Sequence, residues 1–315
     1  MDDVEKLSKH AYLIIAHNNF NQLKLLIELL DDARNDIYLH IGKDAKNIDV
    51  STFTSICKHA NLYLADKRLA GCWGDKSLVD ITILLLKQAT NTNQYEYYHL
   101  LSGVDLPIKS QDYIHDFFSN NSGYEFVHFV RDMDINTPYR ERIEERVRYY
   151  HLFLPLQHFR KCKGLIKKGG IFSHSLLDSL SMRIQKFIKI NRLSKYEFTI
   201  FYGAQWFSIT HNFALYILEK QTSIDELIKY SFCSDEIVIQ TTIMNSSFKE
   251  KISPYGYMRH IDWNRGGPYT FRSSDLEELL QSDKLFARKF DENIDMEIIN
   301  EIYNHFKPKQ KASDT

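Results

Sequence analysis

The sequence predicts an α/β fold in which helices flank an open, mostly parallel central sheet. The first observation is a short, continuous apolar run at 11–17, which is typical of a strand buried on both faces. The second is the segment 20–30, in which leucines recur at helical spacing, followed by a second strand-like run at 36–41. A strand, a helix and a strand in this order form the repeating unit of a parallel sheet.

Further segments of both kinds follow along the chain. Strands are expected at 61–65, 97–101, 126–130, 198–202 and 257–261. Helices are expected at 77–89, 114–118, 211–220, 236–244 and 276–281. Ser234 or Asp235 is expected to cap the helix at 236–244. Gly103 and Pro107 predict a turn after the strand at 97–101.

The domain organisation follows from what interrupts this alternation. Residues 139–193 are denser in charge and are expected to form a helical excursion from the sheet. No linker or internal repeat divides the chain, so we expect one domain over 1–307 and a frayed tail at 308–315. Ligands of open α/β sheets bind at the carboxyl ends of the strands, which places His17 and the turn at 41–44 at the expected site.

Composition excludes some classes of protein. The chain has 40 Lys and Arg against 41 Asp and Glu, so it lacks the basic excess of a general nucleic-acid binder. Its four cysteines contain no C-x-x-C pair, which predicts reduced thiols and a cytoplasmic protein. The amino-terminal segment has no apolar core of a signal peptide, and the apolar runs are too short to span a bilayer. We therefore expect a cytoplasmic protein, at most in peripheral contact with the inner face of the membrane.

General catalytic motifs are absent from the sequence. It contains no P-loop, no G-x-G-x-x-G, no G-x-S-x-G and no H-E-x-x-H. These absences argue against an ATPase, a nicotinamide-dependent enzyme, a serine hydrolase of the elbow type and a zinc protease.

Longer signatures occur in a fixed order along the chain. They are the segments 11–17, 38–41, 73–79, 100–108, 203–206, 234–241, 259–263 and 282–291. Together they resemble the core-2/I-branching enzyme family, which includes the peptide O-xylosyltransferases, and the resemblance runs from about residue 10 to about residue 303. Animal members carry disulfides, and this chain shows no such framework, which suggests a bacterial relative that builds a surface polysaccharide.

The resemblance implies a fold and an activity. Members have a GT-A-type glycosyltransferase fold, invert the anomeric centre, and use UDP-N-acetylglucosamine or UDP-xylose without a divalent metal. We therefore expect a UDP-sugar donor, N-acetylglucosamine first, a glycan or lipid-linked acceptor, and no cofactor or metal.

The resemblance also assigns the residues of the reaction. Glu236 stands at the position of the general base, and inversion by single displacement needs such a carboxylate to take the acceptor proton. Lys289 matches the lysine that contacts the donor diphosphate, whose negative charge grows as UDP leaves. The family also uses an arginine, for which Arg265, Arg259 and Arg288 are all candidates.

Five further residues are candidates for contacts with donor or acceptor. Asp105 and His17 are expected to hold the donor or the loops that face it. Trp206 is expected to stack on a sugar, and Arg146 and Tyr149 to contact the acceptor. Ordinary structural roles compete in each case: a turn aspartate, a polar residue at a strand end, a core tryptophan and a solvated charged face.

Two features depart from the family pattern. The aspartate that reads uracil in the family is replaced by Gly42, so either Asp44, two residues later, binds the donor base instead or base recognition differs. Asp132-Met133-Asp134 has the form Asp-x-Asp, which in other GT-A enzymes binds a divalent cation. A metal-dependent transferase with another donor, and a catalytically silent carbohydrate-binding protein, therefore remain as alternatives.

Overall fold

The main sheet has five strands in the order β3-β2-β1-β4-β6. The computed structural model of the chain describes residues 9–45, 48–130, 137–154 and 170–307. The strands of this sheet are β1 (His10–Ala16), β2 (Asn35–Ile41), β3 (Asn61–Leu64), β4 (Tyr97–Ser102) and β6 (Ser208–Thr210). The first four pair in parallel, and β6 is antiparallel to β4. The predicted α/β class with a mostly parallel sheet is confirmed.

Helices lie on both faces of this sheet. The described helices of the chain, in order, are α1 (Phe20–Leu29), α2 (Ser77–Thr92), α3 (Gln111–Asn120), α4 (Thr137–Arg148), α5 (Gly170–Phe187), α6 (His211–Glu219), α7 (Gln221–Ile228), α8 (Val238–Met244), α9 (Leu276–Gln281) and α10 (Met296–Phe306). Tyr12 and Ile14 of β1 pack in one apolar cluster, and Ala11 and Leu13 pack in the other. Successive residues of a strand point to opposite faces, so a strand covered on both sides is apolar throughout.

A second, three-stranded sheet was not expected. It has the order β5-β8-β7 and consists of β5 (Asp105–Pro107), β7 (Arg259–Ile261) and β8 (Phe286–Arg288). The predicted turn after β4 is therefore shorter than expected and leads directly into β5. Asp105 pairs in register with Arg288, which joins segments distant in sequence.

The predicted strands at 126–130 and 198–202 are wrong. Phe126 forms only an isolated bridge with Ser208, and Val130 N–H donates one hydrogen bond to the Tyr202 carbonyl at 3.1 Å. Both segments are apolar and approach neighbouring backbone, but β6 already occupies the edge of the sheet beside β4.

The start of the helix predicted at 236–244 also needs correction. The helix begins at Val238, and Ser234–Glu236 form a separate 3₁₀ turn. Ile237 occupies the N-cap position and no side chain caps it, so neither Ser234 nor Asp235 has the predicted capping role. The turn places Asp235 and Glu236 together at the end of a loop rather than within a helix.

The structure leaves some predictions untested. The described part of residues 139–193 contains α4 and α5. The tail at 308–315 and the Asp132-Met133-Asp134 motif lie outside the described residues. Within the described ranges, no helix has the length and apolar character needed to cross a membrane.

A buried carboxyl near β6 makes stability depend on pH. Glu125 is fully buried and accepts hydrogen bonds from Thr210 N–H at 2.8 Å and from Thr210 Oγ1 at 2.6 Å. Burial raises the pKa of Glu125 from 4.5 to about 7. Between these pH values the folded state holds a proton that the unfolded state releases, so this group's contribution to stability is present below about pH 4.5 and is lost as pH rises through about 7.

We expect Glu125→Gln to remove that dependence, because the amide stays neutral. The free energy of unfolding of the wild type, relative to the variant, should fall by about 3 kcal/mol between about pH 4.5 and 7.5 in urea titrations. Glu250→Gln, at an exposed position, is the control and should leave the pH profile unchanged. Parallel profiles for wild type and Glu125→Gln contradict a protonated Glu125 in the fold.

Candidate active site

A cavity of about 540 Å³ opens at the carboxyl ends of the parallel strands. Its wall includes Ala16 at the end of β1 and His17 after it, Gly42 and Asp44 after β2, and Ser102 at the end of β4. This is the edge at which open α/β sheets bind ligands, because the chain diverges there to either face. The volume lies within the range of small-molecule sites.

Two glycines let the strand ends lie close together. The Gly42 amide donates to the Ala16 carbonyl at 2.8 Å, and the Gly103 amide donates to the Ile15 carbonyl at 2.9 Å. A Cβ at Gly103 would lie 2.8 Å from Ala16 Cβ, and one at Gly42 would lie 2.9 Å from Asp44 Oδ1. A larger residue at Gly103 would therefore push the β4 turn away from β1.

Glu236 lines this cavity and its carboxylate is held from one side. Its Oε2 accepts hydrogen bonds from Arg146 Nη1 at 2.8 Å and from the Tyr202 hydroxyl at 2.7 Å. The Arg146 guanidinium lies 5.0 Å from the centre of the Tyr202 ring. Oε1 accepts no hydrogen bond from any residue that the structure describes. One oxygen therefore fixes the orientation of the group and the other remains available to a ligand.

These contacts change the interpretation of Arg146. The sequence indicated an acceptor contact, but Arg146 binds Glu236 and does not line the cavity. Tyr202 was missed altogether, because it lay in a segment predicted to be a strand. A backbone contact connects the Tyr202 segment to the site, because Gly203 N–H donates a hydrogen bond to the Glu236 carbonyl at 2.9 Å.

Asp235 also lines the cavity, although the sequence analysis treated it only as a helix cap. Desolvation of its carboxyl raises the pKa to about 7, and the negative charge of Glu236 adds to the increase. In the sequence, the feature that points to a site role for Asp235 is the pair of adjacent acidic residues before a short helix. Burial of one carboxyl beside a second is a common feature of catalytic sites.

Two positively charged side chains from the end of β8, Arg288 and Lys289, line the cavity. Arg288 Nη1 donates to Asp105 Oδ1 at 2.7 Å, and its guanidinium lies 4.3 Å from the centre of the Trp206 ring. Among the residues that the structure describes, no carboxylate lies within ion-pair distance of the Lys289 ammonium. The half-buried Lys289 side chain is therefore a positive charge that is available to bind an anionic ligand.

Asp105 supports this arrangement from behind the cavity wall. It is buried, and its Oδ2 accepts a hydrogen bond from Ser102 N–H at 2.8 Å while Oδ1 binds Arg288. The structure therefore places Asp105 where it orients Arg288 and the β4 turn, rather than in contact with a ligand.

The structure separates the three candidate arginines. Arg259 is buried and donates hydrogen bonds to the carbonyls of Phe207 and Tyr257 at 2.6 Å each, so its guanidinium binds backbone groups. Arg265 forms ion pairs with Asp262, Asp275 and Glu278. Of the three, Arg288 alone lines the cavity.

Three tryptophans border the cavity. Trp206 lies beside Arg288, while Trp73 and Trp263 are largely exposed at 69% and 60%. Trp73 and Trp263 were missed as site residues, although both stand in the signature segments. Exposed indole rings at this cavity suit the apolar face of a sugar ring.

Tyr149 does not reach this site. It is buried, and its carbonyl accepts a hydrogen bond from Arg192 Nη1 at 3.3 Å. It belongs to the packing at the end of α4, so the structure gives no support to the predicted acceptor contact.

No cluster of three or more histidine, cysteine or acidic side chains that could hold a metal occurs among the described parts of the chain. The Asp132-Met133-Asp134 motif lies outside those parts, so metal independence stays a prediction.

Comparison with known proteins agrees with the signatures in the sequence. The family model described as Core-2/I-Branching enzyme matches residues 10–282. A "Xylosyltransferase" of Ciona intestinalis is 20% identical over 318 residues, which cover 96% of this chain and 35% of that protein. "Xylosyltransferase oxt" of Drosophila melanogaster is 20% identical over 319 residues, which cover 93% of this chain and 33% of that protein. The chain thus spans about a third of the length of these curated relatives.

Among solved structures, the apo form of mouse xyloside xylosyltransferase 1 aligns with 89% of this chain and 97% of its own. The sequence identity is 10% and the TM-score is 0.37, too low for any argument about the site. The family match covers most of the chain in one continuous stretch. The chain therefore belongs to the Core-2/I-Branching enzyme family, a family of glycosyltransferases.

Proposed function

We propose that this chain is an inverting, metal-independent glycosyltransferase that moves a sugar from a UDP-sugar to a glycan or lipid-linked acceptor. The observation that carries the proposal is that the Glu236 carboxylate and the cations Arg288 and Lys289 line one cavity. A transferase that inverts needs a base on the acceptor side and positive charge on the leaving-group side.

The reaction follows from these charges. An acceptor hydroxyl attacks the anomeric carbon, and its proton passes to Glu236 as the new glycosidic bond forms. The bond from that carbon to the diphosphate breaks, and its electron pair goes to the departing UDP oxygen. Lys289 and Arg288 stabilise the negative charge that gathers there, which a divalent cation does in other transferases.

The remaining wall of the cavity suits the rest of the donor. His17 and Asp44 lie at the strand ends, where the nucleoside is expected, and Asp44 takes the place of the missing family aspartate after β2. Trp206, Trp73 and Trp263 offer ring faces to the sugars. We retain N-acetylglucosamine as the proposed donor sugar, and xylose is the second candidate because the curated relatives are named xylosyltransferases.

The proposed setting is the cytoplasmic face of a bacterial membrane, where the enzyme extends a surface polysaccharide through peripheral contact with the bilayer. The lack of a cysteine framework for disulfides supports a reducing compartment.

Incubation with UDP-N-acetylglucosamine, UDP-xylose and other UDP-sugars tests the activity. Slow hydrolysis is expected with one donor in preference to the others, measured as release of UDP. Binding of donors without any hydrolysis or transfer would instead support the catalytically silent carbohydrate-binding alternative.

Chelation tests the metal independence. We expect EDTA to leave the rate of transfer unchanged, because fixed side-chain cations neutralise the leaving group. The readout is the initial rate with and without EDTA, followed by addition of Mn²⁺. Loss of activity in EDTA and its recovery with Mn²⁺ would support the metal-dependent alternative and a role for Asp132 and Asp134.

A further inference from the structure

One side of α5 carries an exposed apolar stripe that the proposed reaction does not use. Its residues are exposed by between 44% and 86%, and those within the helix recur at intervals of three or four positions. The apolar stripe consists of Leu177, Leu180, Ile184 and Phe187 of α5 and of Ile188, the residue that follows the helix. This spacing places them along one side of a helix, where a surface helix normally presents polar residues to water. A contiguous exposed apolar surface of this kind indicates an interaction site.

A different side of α5 anchors the helix to the protein. The Gln185 side chain accepts a hydrogen bond from Tyr150 N–H at 2.7 Å and donates one to the Tyr150 carbonyl at 2.9 Å. Asp178 pairs with His151 at 3.1 Å. These contacts tie α5 to the residues after α4 and leave the apolar stripe on the solvent side of the helix.

An apolar groove extends the stripe. It has a volume of about 330 Å³ and lies between α5 and the residues that follow α4. Leu177, Leu180 and Ile184 of the stripe line it together with Leu152 and Phe153. Leu152 is itself 51% exposed, so the exposed apolar area continues beyond the helix.

The charge beside the stripe is positive. Between Leu177 and Lys195 the exposed charged residues are all basic, Arg183, Lys186, Lys189 and Lys195, and the one acidic residue, Asp178, pairs with His151. Arg183, Lys186 and Lys189 lie among the stripe residues and are exposed. Lys186 pairs with Glu145 at 2.6 Å.

We propose that the apolar stripe docks on the surface of a bilayer that contains anionic lipids. The five apolar side chains enter the boundary between headgroups and acyl chains, and the surrounding lysines and arginines contact the lipid headgroups. The proposal specifies the surface for the membrane contact in the proposed function, and it does not depend on the transfer chemistry.

The charge distribution favours a membrane over other occupants. A second copy packed stripe to stripe would bring Arg183 and Lys189 of one copy close to the same residues of the other, which like-charge repulsion opposes. A nucleic acid would match the charge but offers no acyl region to five apolar side chains. An anionic bilayer satisfies both features of the surface.

Sedimentation of the full chain with lipid vesicles tests the docking. We expect binding to phosphatidylcholine vesicles that contain about 30% phosphatidylglycerol, weaker binding to phosphatidylcholine alone, and partial loss of binding in high salt. The combined substitutions Leu180→Ser, Ile184→Ser and Phe187→Ser should weaken binding at least about tenfold, because they remove apolar area that the bilayer buries. Arg183→Glu with Lys189→Glu should abolish the preference for anionic lipid.

The control carries matched substitutions at exposed apolar positions elsewhere, Leu215→Ser and Ile294→Ser, and should bind vesicles like the wild type. Thermal unfolding of every variant checks the fold. Equal binding by the stripe variant and the control overturns the proposal, as does the absence of any sedimentation with anionic vesicles. A dimer in light scattering that the stripe substitutions dissociate also overturns it, in favour of a second copy.

These outcomes are separate from those of the reaction. Vesicle binding is measured without donor or acceptor, so a protein that hydrolyses a UDP-sugar but ignores vesicles loses the docking proposal and the proposed membrane contact, and keeps the proposed reaction. A protein that binds vesicles but hydrolyses no donor loses only the proposed reaction.

Discussion

Glu236→Gln is expected to lower the rate of sugar transfer at least about 100-fold, the usual contribution of a general base. The glutamine side chain has nearly the same shape, and its oxygen can still accept hydrogen bonds from Arg146 and Tyr202. It cannot take a proton from the acceptor hydroxyl, so the chemical step is lost while the cavity keeps its form. The kcat for transfer, together with the affinity for UDP by calorimetry, measures the effect, and UDP affinity should remain nearly unchanged.

The neighbouring carboxyl supplies the matched control for that experiment. Asp235 also lines the cavity, one residue away, and burial keeps its pKa near 7. Asp235→Asn should reduce kcat far less than Glu236→Gln, because the base remains in place. The reverse pattern, with Asp235→Asn nearly inactive and Glu236→Gln active, would transfer the role of base to Asp235 and contradict the assignment.

Local pattern was enough to predict the parallel core of the fold. Six of the seven residues of β1 and four of the seven residues of β2 are apolar, as expected for strands that are covered on both faces. The cavity position followed from the same rule, since His17 and Asp44 stand directly after β1 and β2.

The small sheet shows why the rest could not be predicted in the same way. β5, β7 and β8 have three residues each, too few for a periodic pattern. Asp105 meets Arg288 only because the chain returns after more than 180 residues. The strand predictions at 126–130 and 198–202 were wrong for a different reason. These segments have the composition of strands but lack a free sheet edge beside β4 with which to pair.

The residues of the candidate site also fall into those that the sequence could identify and those that only folding brings together. Glu236 and Lys289 could be named from the resemblance to a family, and the structure places both at one cavity. Arg146 and Tyr202, which hold Glu236, are distant from it in sequence and become its neighbours only through folding. The choice among the three arginines likewise depended on which of them was already committed to other partners.

Lys289→Met is expected to weaken UDP binding about 10- to 100-fold while leaving uridine binding nearly unchanged. A hydrogen bond to a charged group contributes about 1.5–3 kcal/mol, which corresponds to this range of Kd. The loss should concern the diphosphate alone, because methionine keeps the apolar part of the side chain and removes the charge. Calorimetry with UDP and with uridine, at low and high salt, separates the two contributions.

Lys284→Met is the control, because Lys284 lies five residues upstream, pairs with Asp283 at 2.9 Å and does not line the cavity. Its UDP affinity should equal that of the wild type. Arg288 is a poorer target, since its removal would leave the buried Asp105 carboxylate without its partner and disturb the β4 turn. If Lys289→Met weakens UDP and uridine equally, the change has distorted the cavity rather than removed a diphosphate contact. Unchanged UDP affinity would mean that the leaving group lies elsewhere, and the case for side-chain cations in place of a metal would fail with it.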